Sequence, residues 1–256
     1  MENWRELLLE AERSLMSGRP GEALQYCDRA SFQAGEARYR ASLMRGRILL
    51  EVGDPLGALS AFESIARLEH HDAEVDCARG IALFELAQFP EAEAALRAAV
   101  REDPSLADGY YTLGLIAEFL GTGEENHWFR EARKLEPERF ATSHQLTNQE
   151  FQSIIEEAVS GMDDLFKLAL EELPIVVAEL PLVNDLHQLD PRISPLSLAM
   201  MVGAITESGP EDGIQPVLFL FKRNVERAFR DRDEMISATR AAIMGNFADA
   251  LGLELN

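Results

Sequence analysis

Small and large apolar residues recur in the first half of the chain with a period of about 34 residues, a spacing typical of stacked structural repeats. Gly46, Gly80 and Gly114 are evenly spaced at this period, and Ala11 precedes the first of them by nearly the same distance. Three more series keep nearly this spacing: Gly18, Gly53, Ala87 and Gly121; Ala23, Ala58 and Ala92; and the larger Cys27, Phe62, Leu96 and Phe129.

Each period predicts a pair of antiparallel helices. Two helices cross closely only where the facing side chains are small, so glycine or alanine recurs at the contact and large apolar residues fill the space between. A glycine between the helices supplies a turn or a left-handed cap. Pro104 and Pro137 each follow a charged helix end, where a proline stops the second helix.

This pattern resembles four tetratricopeptide repeats, at roughly 4–38, 39–72, 73–106 and 107–140. The fourth repeat matches best, after a one-residue deletion near Asn126, through Tyr110, Leu113, Gly114, Gly121, Phe129, Ala132 and Pro137. The resemblance implies a right-handed superhelix over residues 1–143. It also implies a concave groove, lined by the first helix of each pair, that takes up an extended or helical segment of another protein.

By the family's register, the groove is an apolar strip with charged margins. The predicted lining residues are Arg40, Leu43, Arg47, Leu50, Glu74, Cys77, Ile81, Phe84, Tyr111, Leu115, Glu118 and Phe119. This set departs from the lysine and asparagine clamp by which some members hold a C-terminal carboxylate. The alternative is that several of the apolar residues pack internally against the second half of the chain.

The pattern changes at Gln145, and a second domain is predicted over residues 146–256. Thr147 and Glu150 form a capping box that opens a helix to about Leu170. The proline-bounded runs 173–181 and 216–221 predict short strands, and 194–203 predicts a loop or a brief strand. A last helix is predicted from about Val225 to Leu251. Basic and acidic residues alternate near its start, which predicts either an ion-paired helix surface or a docking surface for the acidic first half of the chain.

This order of elements resembles a small zincin-like metallopeptidase domain. The resemblance rests on four segments: Leu180-Pro181, Asp190-Pro191 with Ile193-Ser-Pro-Leu, Pro216-Val-Leu-Phe-Leu-Phe-Lys-Arg-Asn-Val-Glu-Arg, and Ala250-Leu-Gly-Leu-Glu254. That family places His-Glu-x-x-His just before the final Leu-Gly-Leu, because two imidazoles one helical turn apart meet one zinc ion. Here the stretch reads Gly245-Asn246-Phe247-Ala248-Asp249. Asp249 and Glu254 could each offer one oxygen, but Gly245 contributes no ligand and Asn246 cannot serve as a general base, so the resemblance implies a pseudoenzyme that holds no metal.

Composition narrows the function classes. The chain has 45 acidic and 24 basic side chains, a net charge of −21, which repels nucleic acid and anionic membranes. Cys27 and Cys77 are too few for a disulfide framework and lack the spacing of a zinc or redox pair, which favours the cytoplasm. No run of about 18 apolar residues could span a bilayer. No phosphate loop is present, so no cofactor is expected.

We therefore expect a mostly α chain: a tetratricopeptide-type α-solenoid followed by a small α+β zincin-like domain. The expected function is a cytoplasmic adaptor, inhibitor or chaperone-like protein, whose partner is a peptide or protein client such as a protease or a secreted effector. One alternative is a zinc-dependent peptidase that uses Asp249, Glu254 and His187 as ligands. The other is that the second half only caps the repeats.

Overall fold

Pairs of helices make up the first part of the chain. The computed structural model describes residues 3–33, 35–66, 72–142, 145–171, 173–188, 193–203 and 216–250. It divides into two units, Met1–Ala141 and Thr142–Asn256. The described residues of the first unit, here called the repeat unit, form eight helices: α1 (Trp4–Met16), α2 (Pro20–Ser31), α3 (Glu36–Glu51), α4 (Pro55–Ala66), α5 (Ala73–Glu85), α6 (Phe89–Glu102), α7 (Ala107–Leu120) and α8 (Glu125–Leu135).

The predicted small-to-large contacts join the two helices of each hairpin. A Cβ at Gly46 of α3 would lie 2.2 Å from Cε1 of Phe62 in α4, and one at Gly114 of α7 would lie 2.5 Å from Cδ1 of Phe129 in α8. Real Cβ contacts are never this short, so only glycine lets the large ring pack against the facing backbone. The spacing of these residues in the sequence therefore reflects a contact between helices.

The first hairpin has the corresponding contact between its two helices, but with a larger residue in α1 and a smaller residue in α2. Ala11 takes the place of the glycine, and its partner is the small Cys27 instead of a phenylalanine or leucine. Both residues are buried in one apolar cluster with Ala23 and Ile48. A larger residue on one helix is thus matched by a smaller residue on the other, which keeps the packed volume similar.

The turns inside the hairpins have the left-handed backbone that the glycine series predicts. Gly18, Gly53 and Gly121 have φ angles of +69°, +79° and +62°. Ala87 occupies the equivalent place in the third hairpin and has a φ of +56°, although it carries a Cβ. The tight turn therefore persists in every hairpin, including the one that lacks the glycine.

The second unit contains a three-stranded sheet and five helices in its described residues. These are α9 (Asn148–Ser160), α10 (Asp164–Leu170), β1 (Ile175–Ala178), α11 (Val183–Gln188), β2 (Ala199–Val202), β3 (Val217–Phe221), α12 (Lys222–Ala228) and α13 (Arg232–Ala250). The strand order is β1-β3-β2, with β1 parallel and β2 antiparallel to β3. The prediction of a mostly helical chain with a small sheet in its second half is confirmed.

Two helices that the sequence predicts as continuous are interrupted. The helix that opens at the Thr147 capping box ends at Ser160, and Asp163 starts α10 by accepting a hydrogen bond from the backbone N–H of Phe166 at 2.9 Å. The C-terminal helix is likewise divided, because Asp231 accepts from the N–H of Asp233 at 2.9 Å and begins α13. Side-chain caps thus divide both predicted helices.

One apolar cluster joins the sheet and helices of the second unit. It includes Phe151 and Ile154 of α9, Leu218 and Leu220 of β3, and Ile243 of α13. Among the described residues, no helix is both long and apolar enough to cross a membrane.

Candidate protein-binding face of the repeat unit

The first helices of successive hairpins contact one another, α3 with α5 and α5 with α7. They carry all the residues of the predicted groove, of which eight are at least partly accessible and form what we call the first-helix face. These residues are Arg40, Arg47, Leu50, Glu74, Ile81, Tyr111, Glu118 and Phe119.

Four residues of the predicted groove are buried, and three of them are large apolar residues that therefore cannot form its apolar strip. Leu43, Phe84 and Leu115 are 4%, 1% and 2% exposed. Leu43 packs in a cluster with Phe62 of α4, and the ring of Phe84 lies 5.6 Å from that of Phe89 in α6. The prediction that these three line the groove is wrong, because the second helices of the hairpins and the neighbouring repeats cover them. Cys77 is buried too, at 4% exposed.

One ion pair links α3 to α5 on the first-helix face, and another links the turn after α8 to α7. The guanidinium of Arg47 on α3 is paired with the Glu74 carboxylate on α5, and Nη2 of Arg139 lies 2.7 Å from Oδ1 of Asp108 on α7. Arg40 is exposed at the start of α3, with its guanidinium 5.7 Å from the centre of the Tyr39 ring. The face thus offers cations beside α3 and carboxylates beside α5 and α7.

The accessible aromatic residues are held by other rings. The Tyr111 ring stacks on Phe140 at 4.7 Å and contacts Phe129 at 5.4 Å. The Phe119 ring lies 5.2 Å from that of Phe89. Because their neighbours fix these rings, a partner that packs on them loses little side-chain freedom in the process.

Both thiols of the repeat unit are inert structural groups. Burial raises the pKa of the Cys77 thiol to about 12, and the carboxylate of Asp108 adds to the shift. Burial also raises the pKa of the Cys27 thiol to about 12. Since the thiolate is the reactive form, neither cysteine is a nucleophile at neutral pH.

Two clefts flank α6 and were missed from the sequence. One is lined by α4, α5 and α6 and is acidic. The other, about 510 Å³ in volume, has Trp128 of α8 at its wall, with the guanidinium of Arg97 4.8 Å from the centre of its ring. The repeat spacing could have predicted that the clefts are equivalent, because Glu63 lines one cleft and Arg97, one repeat period later, lines the other.

The degenerate peptidase motif lies near the end of α13. Gly245 is half-buried, and a Cβ there would meet no atom within 4 Å. Asn246 bridges two elements, since its Oδ1 accepts from the N–H of Met201 in β2 at 3.1 Å and its Nδ2 donates to the carbonyl of Ala242 at 2.9 Å. Asp249 is exposed, whereas Glu254 lies outside the described residues.

The ligand set of a zinc peptidase is not assembled in the described part of the second unit. His187 is exposed on α11, an element separate from Asp249. No group of three or more histidine, cysteine, aspartate or glutamate side chains that could hold a metal ion occurs among the described residues.

The basic cluster around α12 is engaged in ion pairs and hydrogen bonds. Lys222 is buried, and its Nζ lies 3.1 Å from both Oε1 of Glu179 and Oδ1 of Asn148. The buried Glu226 carboxylate accepts from the backbone N–H of Leu146 at 2.7 Å. These contacts confirm an ion-paired segment, and they attach α12 to the start of α9 and to the end of β1.

Comparison with known proteins gives similarity to solved structures. No family model and no curated protein sequence matches the chain. One similar structure is that of MamA, with 22% identity and a TM-score of 0.42 over 50% of this chain and 74% of that one. Another is that of MamA residues 41 to the end from Desulfovibrio magneticus RS-1, with 25% identity and a TM-score of 0.42 over 53% of this chain and 76% of that one. A third is that of YrrB, described as a TPR protein with an unusual peptide-binding site, with 21% identity and a TM-score of 0.39 over 50% of this chain and 66% of that one. These TM-scores are below 0.5, so the description of the fold rests on the helices themselves.

Proposed function

We propose that this chain is a protein-binding adaptor that holds a segment of another protein on the first-helix face. The observation that carries the proposal is the continuity of this face over three hairpins, with accessible cations, carboxylates and fixed aromatic rings. Arg40, Ile81 and Phe119 lie on α3, α5 and α7 in turn and remain accessible. Helical repeats commonly bind partners on such extended faces, where a few anchors supply most of the affinity.

The chemistry of the face indicates the kind of segment that it binds. Arg40 and Arg47 on α3 suit an acidic group of the client, and Arg47 already donates to one carboxylate, that of Glu74. The half-buried Ile81 and Phe119 suit an apolar side chain further along the client. The proposed client is therefore an amphipathic segment of a protein, such as a protease or a secreted effector, bound in a cytoplasmic adaptor, inhibitor or chaperone-like complex.

The binding test compares two pairs of substitutions in the full chain. Arg40→Ala with Ile81→Ser removes one charged and one apolar anchor from the face. Arg101→Ala with Leu135→Ser makes the same changes at exposed positions of α6 and α8. After crosslinking and pull-down from the native cytosol, we expect recovery of the stoichiometric client to fall about tenfold for the first pair only. Equal recovery for both pairs would reject the first-helix face as the binding surface.

We further propose that residues 146–256 are a zincin-like domain that has lost its catalytic motif. Asn246 supports this proposal, since it stands at the position of the family's glutamate and its side chain bonds the backbone of β2 instead of activating water. The positions of the two family histidines, Gly245 and Asp249, lie one helical turn apart. A Cβ at Gly245 would meet no atom within 4 Å, so the backbone there can carry a side chain.

Restoring the motif tests this second proposal. The triple substitution Gly245→His, Asn246→Glu and Asp249→His is expected to bind one equivalent of zinc, and the wild-type chain less than about a tenth of an equivalent. The matched control replaces the same three residues with alanine. A restored chain that folds and binds no zinc would contradict the zincin-like assignment. A full equivalent of zinc in the wild-type chain, with peptide cleavage, would instead favour the peptidase that uses Asp249, Glu254 and His187.

A further inference from the structure

An acidic cleft of about 690 Å³ lies between α4, α5 and α6, away from the first-helix face. Its α5 residues, such as Val75 and Leu83, stand on the side of that helix opposite Ile81, as helical spacing requires. The buried Val75, Leu83 and Ala95 form an apolar floor. Four carboxylates stand around this floor: Glu63, Asp72, Asp76 and Glu91.

Two of these carboxylates serve the fold, and two are available to a partner. Asp72 caps α5 by accepting from the N–H of Glu74 at 2.8 Å, and Asp76 lies 3.2 Å from Nη2 of Arg79. Glu63 and Glu91 are exposed, and within the described residues neither carboxylate takes part in a hydrogen bond or an ion pair. With one guanidinium and four carboxylates, the described residues of the lining have a formal charge of −3.

The next repeat shows which side chains line an equivalent cleft. The deletion near Asn126 shortens the spacing by a single position here, so Trp128 and His127 correspond to Ala95 and Ala94. In that repeat the Trp128 ring forms a wall of a cleft of about 510 Å³, and the guanidinium of Arg97 lies 4.8 Å from the centre of the ring. The acidic cleft has only methyl groups at these two places. At the places of Trp128 and Arg97, the acidic cleft therefore has the small Ala95 and the carboxylate of Glu63.

We propose that the acidic cleft binds a basic amphipathic helix of another protein. Its α5 lining runs from Asp72 to Leu83, about 16 Å at 1.5 Å per residue, which corresponds to about three turns of a bound helix. The small Ala94 and Ala98 allow close approach to α6. Apolar side chains of the partner fill the open space, and its lysine or arginine side chains pair with Glu63 and Glu91. A second copy is disfavoured as the occupant, because each copy has a net charge of −21.

The test uses the full chain and a synthetic 14-residue helical peptide with leucine and alanine on one face and lysine on the other. Affinity is measured by isothermal titration calorimetry at two salt concentrations. We expect Glu63→Gln with Glu91→Gln to weaken binding at least tenfold, and Ala98→Trp to weaken it similarly by filling the cleft. The matched pair Glu12→Gln with Glu51→Gln, at exposed carboxylates outside the cleft, should weaken binding less than twofold.

Several outcomes would overturn the proposal. Equal weakening by the two glutamine pairs would show general attraction to an acidic chain. A peptide with glutamate in place of lysine that binds as tightly would exclude charge recognition, and an unaffected Ala98→Trp variant would exclude the cleft. Self-association that Glu63→Gln with Glu91→Gln abolishes in sedimentation would identify a second copy as the occupant. Arg40→Ala with Ile81→Ser should leave peptide affinity unchanged, which separates this site from the first-helix face.

Discussion

Replacing Gly46 by alanine tests the contact from which the repeats were first recognised. The new Cβ would lie 2.2, 2.5 and 2.8 Å from three ring carbons of Phe62, whereas ordinary contact begins near 3.4 Å. The ring must therefore move by ~1.2 Å. Phe62 is fully buried, with Ala58 and Ile65 in the same cluster, so the move displaces other packed side chains.

The net effect is a balance of two opposing terms. Overpacking a core costs about 1–3 kcal/mol, whereas alanine in place of glycine inside a helix gains about 0.5–1 kcal/mol. We expect Gly46→Ala to lower the free energy of unfolding by about 1–2 kcal/mol. Gly21→Ala in α2 is the control, because its Cβ would meet no atom within 4 Å, and it should not destabilise.

Tryptophan fluorescence can measure the unfolding of the repeat unit separately. Trp4 and Trp128 are the only ones in the chain, and both belong to the repeat unit, so their fluorescence during urea unfolding reports that unit. In a double-mutant cycle, Phe62→Leu should recover part of the cost of Gly46→Ala, with a coupling energy of about 1 kcal/mol. If Gly46→Ala is as harmless as Gly21→Ala, or costs the same with leucine at position 62, the proposed contact is refuted.

Three further predictions concern other buried or paired groups. Thr239→Val should raise the free energy of unfolding of the second unit by about 1 kcal/mol, measured by far-UV circular dichroism in urea, because the buried Thr239 Oγ1 has no hydrogen-bond partner within the described residues. The hydrogen bonds from Arg232, at 2.7 and 2.8 Å, lower the pKa of Glu157 in the folded chain. The pair therefore stabilises the fold at pH values above the unfolded-state pKa of Glu157, and this stabilisation is lost as the pH falls through the folded-state pKa of Glu157. Arg232→Gln should raise the pKa of Glu157 in an NMR titration. Because burial raises the pKa of Cys27 and Cys77 to about 12, a thiol reagent at pH 8 should label both rapidly only in denaturant, and fast labelling of the folded chain would show that they are exposed.

Local patterns in the sequence were enough to predict the hairpins and their closest contacts. The glycine series and the large residues 15 or 16 positions later reported which side chains face each other across a hairpin, as for Gly46 and Phe62. The Thr147 capping box was equally readable, because its donors and acceptors lie within four residues of each other. Contacts of this kind involve near neighbours or a fixed repeat, so the spacing alone encodes them.

What only the tertiary structure decided was which surfaces remain open. The family's register places Leu43 and Ile81 on the same face, yet Leu43 is buried and Ile81 is partly accessible. Likewise, the acidic cleft has Ala95 where the cleft of the last repeat has Trp128, so the two clefts differ in size and charge. The sequence by itself thus determined the repeated hairpins, the left-handed turns and the net acidity. Whether a side chain is accessible depends on the combined volume of the residues that pack around it from several helices. The spacing of one set of residues along the sequence does not contain that information.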